Sequence, residues 1–324
     1  MQNITVSKLI IGIWLISGGL LPRLAVANNI NNIHCAPAKL PESWVSPQTS
    51  LYLVYNQARN WQLAKPANWR RIESYQLLAG GQFTVAQLAG LAREYPQLID
   101  LDLRSEFHGF VNNYPVSYKA LPNNDINRNK STAWIIQHEE LLFNPQLTTP
   151  RFLHIYPTNL KQPPSVTTRC VTIANPVMIS ESLLCRQLNL RYVRIAVLDH
   201  REFSPVNLDA LVAFFDAYLA TYPQQWVYLH CQGGAGRTTA ATAALLMLKQ
   251  HRQGKLQSFT QIIQLTEQLS NNYRLRPSCL KTTSSYRCQG QWQRYRQLQR
   301  FYAFVKARHG QEQFSHWLIT HAAY

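Results

Sequence analysis

The stretch WVYLHCQGGAGRTT, Trp226 to Thr239, constrains this chain more than any other part of it. Five apolar or aromatic-rich residues lead into Cys231. Glycines follow at 233, 234 and 236, and then Arg237 opens an Ala- and Leu-rich run to Arg252. The spacing predicts a buried strand, a tight turn and a helix, the repeating unit of an α/β fold. Glycines let successive backbone N–H groups turn inward as a nest, and the helix N-terminus adds partial positive charge. Such a turn is built for an anion, phosphate first. A Walker loop needs a Gly-Lys-Ser/Thr ending, and no lysine stands here. A cysteine opens the loop instead, with an arginine six positions later. Cys231 then has three readings: a nucleophile, an inert buried thiol, or part of a loop that grips phosphate without reacting.

The nucleophile reading assigns each neighbour a task. A free thiol titrates near 8.5, and cations or a helix N-terminus lower that value. Arg237 offers a planar fork for two phosphate oxygens, which lysine lacks. The Thr238 hydroxyl is placed to stabilise the sulfur. His230 is placed to fix the loop, and Gln232, Gly233, Gly234, Ala235 and Gly236 supply its backbone. Binding alone needs the loop but no acid, so the search turns to an acid.

"LRYVRIAVL" (Leu190–Leu198) reads as a strand, and "PVNLDALVAFFDAYLATY" (Pro205–Tyr222) as a helix with proline in its first turn. With the Trp226 strand they form a βαβ unit. Its right-handed crossover makes the two strands parallel, with their C-terminal ends on one edge. Asp199 lies just past the first strand and Cys231 just past the second. Asp199 is therefore the candidate acid for a leaving oxygen and base for water; its bland reading is a turn cap. Glu202 is its nearest rival, while Asp209 and Asp216 fall inside the helix.

Elsewhere the pattern predicts strands at Leu51–Tyr55, Gln97–Arg104 and Val166–Ile173, with a short one inside the Pro-rich connection Thr148–Ser165. Helices are expected at Phe83–Tyr95, Thr132–Phe143, Arg237–Arg252, Phe259–Leu269 and Trp292–Arg308. Leu121–Ser131 reads as a loop. The expected organisation is a signal peptide over 1–27, an N-terminal extension over 28–60, a catalytic domain over 61–310 and a tail over 311–324. The leader rests on Lys8, the short apolar run Leu9–Leu21 and the small residues Ala25 and Ala27. It implies export to a periplasmic or extracellular space, and no membrane span once cleaved.

The chain carries 32 Lys and Arg against 16 Asp and Glu, a net charge of +16. That surplus favours a polyanionic partner. No zinc-finger spacing, RNA-binding run or basic amphipathic helix makes it a nucleic acid. No C-x-x-C or H-E-x-x-H spacing suggests a metal, and no cofactor motif is present. Six cysteines are present; Cys170–Cys185 and Cys279–Cys288 are the local pairings considered, alongside a free Cys231.

HCQGGAGRTT resembles the H-C-x-x-G-x-G-R-T/S signature of protein tyrosine phosphatases. Further segments resemble one branch of them, the protein tyrosine phosphatase-like phytases. These are "LDHREFSPVNLDALVAFF" around the acid, "DLRSEFHGFVNNYPVSY" (Asp102–Tyr118), "PANWRR", "GGQF" and "NRNKS". The likeness runs from about Leu63 to Gln250. Gln232 stands where an acid is common, Asn113 and Tyr118 replace Gly and Trp, and Asn129 precedes Lys130 where Gly is usual. The resemblance implies a phosphatase-like α/β fold, a central largely parallel or mixed sheet flanked by helices. It also implies metal-independent, stepwise removal of phosphate from inositol hexakisphosphate or lower inositol phosphates. Carried over motif by motif, Arg70, Asp102, Lys130 and His200 become candidate substrate contacts. The alternatives are an exported phosphotyrosine or phosphoinositide phosphatase and an inactive polyphosphate-binding relative.

Overall fold

The computed structural model describes residues 44, 50–55, 65–121, 124–144, 151–157, 170–219, 221–222, 224–271 and 273–321. The expected leader lies outside the described residues, as does most of the expected extension. Among the described residues, no helix is long and apolar enough to cross a membrane.

Eleven strands are described: β1 (Ser50–Tyr55), β2 (Arg70–Ile72), β3 (Leu77–Gly80), β4 (Ile99–Arg104), β5 (His108–Val111), β6 (Tyr114–Leu121), β7 (Phe152–Pro157), β8 (Val171–Ala174), β9 (Met178–Ser180), β10 (Arg191–Val197) and β11 (Val227–His230). The helices are α1 (Val85–Glu94), α2 (Thr132–Leu142), α3 (Glu181–Gln187), α4 (Pro205–Phe214), α5 (Gly236–Arg252), α6 (Phe259–Leu269), α7 (Tyr286–Ala307) and α8 (Phe314–Thr320). A π-helical turn, Phe215–Leu219, prolongs α4. Helix starts follow local chemistry. Thr84, Ser204 and Ser258 each close a capping box at α1, α4 and α6, satisfying amides that have no partner inside the helix.

The strands form two sheets where the motifs imply one central sheet. The first has the order β10-β4-β11-β3-β2, parallel except for β2. The second, β8-β7-β1-β6-β5-β9, is mostly antiparallel. β10 and β11 are parallel, as their crossover requires, but they are not neighbours: β4 lies between them.

β4 decides what this sheet can hold. Its sequence IDLDLR alternates as a half-exposed strand would, yet all six residues are buried. Ile99, Leu101 and Leu103 join a core built from α4, α5, α6 and α7, with Leu229 of β11 and Phe301 of α7. Asp100, Asp102 and Arg104 face the other side, where water is also excluded. There the register sets Asp102 between Arg194 of β10 and His230 of β11. Adjacent strands in register put side chains on the same face, so a row of charges runs across the sheet inside the protein.

The C-terminal tail contributes a helix: Phe314 and Trp317 of α8 enter the same core. Cys279 and Cys288 form a disulfide with Cα atoms 6.0 Å apart. Cys170 is also disulfide-bonded, but not to Cys185, which keeps a free thiol directed at the Asp100 carboxylate. The expected Cys170–Cys185 pairing is thus corrected. Cys185 sits on α3 inside the core, whereas Cys170 precedes the peripheral strand β8. Among the described residues, ten non-glycine positions have left-handed backbone, and seven of them are asparagine.

Candidate active site

Cys231 sits at the C-terminal end of β11, where the chain turns sharply into α5. Gly234 makes the turn with φ of 69°; a Cβ there would lie 2.3 Å from the Gly80 carbon and the Gly81 nitrogen. Only glycine fits both demands. The loop is gripped from outside. The Gln82 amide donates to the Gln232 carbonyl at 3.1 Å. Asn68 Nδ2 donates to the Gly233 carbonyl at 2.7 Å, and Arg70 Nη1 to the Gly234 carbonyl at 2.8 Å. Three consecutive carbonyls held outward leave the amides for the concave side, the arrangement of an anion nest.

The thiol of Cys231 is buried and free. Burial pushes its pKa up, but the Arg237 guanidinium and the Thr238 hydroxyl and amide outweigh that and hold it below the usual thiol value. Among the described residues the Thr238 hydroxyl has no other hydrogen-bond partner, which leaves it for the sulfur. Arg237 is itself fixed. Its Nη1 and Nη2 donate to the two oxygens of Glu106 at 2.7 and 2.9 Å, and Nη1 also donates to the Val197 carbonyl at 3.0 Å. Nη2 lies 3.2 Å from Asp199 Oδ1. Glu106 was not among the residues expected at the site. It is fully buried, and the charges of Arg237 and Arg104 overcome its burial and hold it well below the carboxylate range.

Asp199 and His200 follow β10 and reach this edge. The Asp199 side chain is 22% exposed, and His200 Nε2 lies 3.5 Å from its Oδ2. His200 has left-handed backbone, with φ of 58°. Burial lowers its pKa; Asp199 opposes this, and Arg287, Arg237 and Arg294 add to it. Lys119 is likewise lowered by burial, against the pull of Asp199 and with the push of Arg287. Lys119 of β6 and Arg287 of α7 thus stand near Asp199 and His200, while Arg294 of α7 is buried. They too were not singled out from the sequence.

The other expected contacts differ in burial. Arg70 is buried against the loop as a backbone clamp, its Nε and Nη2 without hydrogen-bond partners among the described residues. Lys130 is exposed, its ammonium over the Trp134 ring at 4.6 Å. Asp102 is wholly buried beneath the loop and accepts from Tyr192 at 2.9 Å and from the Arg104 amide at 2.9 Å. Arg194 Nε and His108 Nε2 lie 3.2 and 3.3 Å from it. This corrects Asp102 from a substrate contact to a support, because the sheet register puts it on the inner face of β4. His230 likewise lies beneath the loop and not in it: its imidazole turns inward to Glu181 and Asp100, at 2.9 and 3.2 Å.

The buried row joins five carboxylates (Asp100, Asp102, Glu106, Glu139, Glu181) to three guanidiniums (Arg104, Arg194, Arg237) and two imidazoles (His108, His230). The charges cancel when both imidazoles carry a proton. Asp100, Glu181 and His230, and likewise Asp102, His108 and Glu181, bring donor atoms within 4.8 Å of one another, the spacing of metal ligands. His108 Nδ1 faces the Glu106 carbonyl at 2.9 Å, so Nδ1 is the protonated nitrogen and Nε2 needs its own proton between two carboxylates. Burial lowers the His108 pKa, but Glu139 and Asp102 raise it to about 10. His230 is raised for the same reason by Glu181 and Asp100.

A folded-state pKa raised above the unfolded value of about 6.5 contributes stability that is complete below that value. It is lost as pH rises through the folded pKa. Thermal unfolding between pH 7 and 10 will therefore show a falling midpoint. A midpoint that stays level or rises across that window contradicts two protonated histidines.

The cysteine, the gripped cradle, the arginine six residues on and the aspartate from a parallel strand form an arrangement that resembles the site of protein tyrosine phosphatases. Within that class, the chain resembles the protein tyrosine phosphatase-like phytases in sequence and in fold. The model of that family, described as "Inositol hexakisphosphate", matches residues 101–249. The tandemly repeated protein tyrosine phosphatase-like phytase of Mitsuokella multacida superposes with a TM-score of 0.71 at 22% identity, over 89% of this chain and 49% of that one. A phytase of the same type from Bdellovibrio bacteriovorus gives 0.63 at 23% identity, over 88% of this chain and 98% of that one. The Mitsuokella multacida myo-inositol phosphatase bound to myo-inositol-(1,3,4,5)-tetrakisphosphate gives 0.70 at 23%, covering 89% and 49%. The effector protein hopD2 of Pseudomonas syringae pv. tomato is 28% identical over 152 residues, 47% of this chain and 32% of that protein. The chain thus spans about a third of that curated relative and about half of the Mitsuokella chains.

Proposed function

We propose that the protein is a cysteine-dependent phosphatase that removes phosphate from inositol polyphosphates. The observation that carries the substrate class is the set of cations around Cys231. One phosphate needs the cradle and Arg237. Lys119 and Arg287 bring positive charge beyond that need, and further phosphates on the same molecule would use it.

In this reading the phosphate enters the nest and competes with Asp199 for Nη2 of Arg237. Nη1 stays with Glu106 and Val197, so Nε and Nη2 form the fork that holds two phosphate oxygens. The Cys231 thiolate attacks phosphorus; an S–P bond forms as the P–O bond to the inositol oxygen breaks. Asp199 gives its proton to that oxygen, and the dephosphorylated alcohol leaves. Water then attacks the phosphocysteine, Asp199 takes the water's proton, and the thiolate leaves with the Thr238 hydroxyl beside it. No metal takes part in these steps. Export of the chain, as the leader predicts, suits its disulfide-bonded Cys170, Cys279 and Cys288.

The test offers purified protein, with EDTA present, inositol hexakisphosphate, a phosphotyrosine peptide and a phosphoinositide. Fastest turnover is expected on the inositol polyphosphate. Preference for the peptide or lipid would move the assignment to the runner-up phosphatases, and no release from any would leave a binding protein. Asp199→Asn is expected to lower kcat on the inositol substrate by about 10²- to 10⁴-fold, the usual worth of a positioned acid. Unaltered turnover would remove Asp199 from that role.

A further inference from the structure

One face of α7 is spent on the loop that carries Asp199. Tyr286, Gly290, Gln293, Arg294 and Gln297 lie at the spacing i, i+4, i+7, i+8 and i+11, a single helical stripe. Every one of them meets residues 200–203. The Arg201 guanidinium stacks on the Tyr286 ring at 3.8 Å, and its Nη1 donates to Gln293 Oε1 at 3.0 Å. Arg294 Nε and Nη2 donate to the Arg201 carbonyl at 3.3 and 3.0 Å. Gln297 Nε2 donates to the Phe203 carbonyl. At Gly290 the approach is closest: a Cβ would stand 1.6 Å from the His200 carbonyl oxygen.

A glycine in mid-helix costs about 1 kcal/mol relative to alanine. Here it lets the carbonyl of His200 rest against the helix backbone. His200 itself sits in the left-handed region, a conformation that a non-glycine residue keeps only when its surroundings impose it. The helix face is such a surrounding. Arg294 also lies against Gly236, so the same helix touches the acid loop and the phosphate loop. The Cys279–Cys288 disulfide ties the first turn of α7 to the segment before it, and Trp292 Nε1 donates to the Cys279 carbonyl at 3.1 Å.

We infer that α7 is a clamp that fixes the acid loop over Cys231, and that Gly290 is a positioning residue for Asp199. The inference rests on the phosphatase reading, with Asp199 as the acid. A clamp of this kind acts only through the proton that Asp199 delivers. Its loss matters when the leaving oxygen is strongly basic, as on inositol, and not when the leaving group departs unaided.

The experiment compares the wild type, Gly290→Ala and Gln297→Ala on inositol hexakisphosphate and on 2,4-dinitrophenyl phosphate, whose phenolate needs no acid. Gly290→Ala is expected to lower kcat on the inositol substrate by about 10- to 100-fold, the scale of a 1 Å misplacement. On the aryl ester it should stay within about 3-fold of wild type. Gln297→Ala removes one hydrogen bond without a clash. It should show the same asymmetry at about 3- to 10-fold, which keeps the test open if the alanine at 290 prevents folding. Equal losses on both esters, or none on either, would overturn the clamp and leave the phosphatase reading standing. A wild-type chain inert toward both esters would remove the two together.

Discussion

Serine at Cys231 will silence phosphate release by about 10⁴-fold or more while leaving the cradle able to bind phosphate. The reason is in the neighbours. The thiol is held below its usual pKa by Arg237 and Thr238, so the thiolate forms at a lower pH than that of a free thiol. A serine hydroxyl in the same place needs a base to take its proton. His230 precedes it in sequence, but its imidazole is directed into the protein toward Glu181 and Asp100. Glu106 is committed to Arg237 and Arg104, and the first step needs Asp199 as an acid. Turnover assays with titration calorimetry of inorganic phosphate will separate the two properties. Residual turnover above about 1% of wild type would mean that another group attacks phosphorus.

The second large effect is expected at a residue that touches no phosphate. Glu106→Gln will cost about 3–5 kcal/mol of folding stability, because it strips the shared counter-charge from two buried guanidiniums. Glu106 accepts from both terminal nitrogens of Arg237 and from Arg104 Nε, with no side-chain exposure. Glutamine keeps the shape but offers one oxygen where two were used. Its amide hydrogens would face a guanidinium. Arg237 would then tilt from the plane that presents Nε and Nη2 to the nest, and kcat should fall with stability. Denaturant unfolding and turnover on the same sample check both. A stability change under about 1 kcal/mol would mean that Glu106 is replaceable as the counter-charge.

The contrast between these residues explains what could be read from the chain alone. Cys231, the glycines and Arg237 lie within seven positions of one another, so strand, turn and helix chemistry is written locally. β11 and α5 accordingly fall where the pattern puts them. Glu106 lies 131 positions from Arg237. Its surroundings, Asp102 to His108, contain four charged or titratable residues in seven and no local sign that they are buried. IDLDLR has the alternation of a half-solvated strand; only a second covered face makes its acids internal. The missing signal lay in sheet order, with β4 placed between β10 and β11. β5 and β6 were missed for a related reason, since HGFV and YPVSYKAL gain their strand character by pairing. The start of α7 was hidden by Gly290, which reads as a helix breaker until its contact with His200 is seen. Arg287 sits on that first turn, so part of the positive charge near Asp199 was hidden with it.

The left-handed asparagines carry a consequence for the unfolded chain. Seven of the ten non-glycine left-handed residues described are asparagine, and the whole chain has only 13 glycines in 324 residues. That is well below the roughly 7% usual for proteins. Glycine would enter these turns with less strain, but each one would widen the set of conformations open to the denatured chain. Asparagine accepts a small local penalty and keeps that set narrow. Part of this protein's stability is therefore held in what its denatured ensemble is denied, and replacing turn asparagines by glycine will gain less than the relief of backbone strain alone suggests.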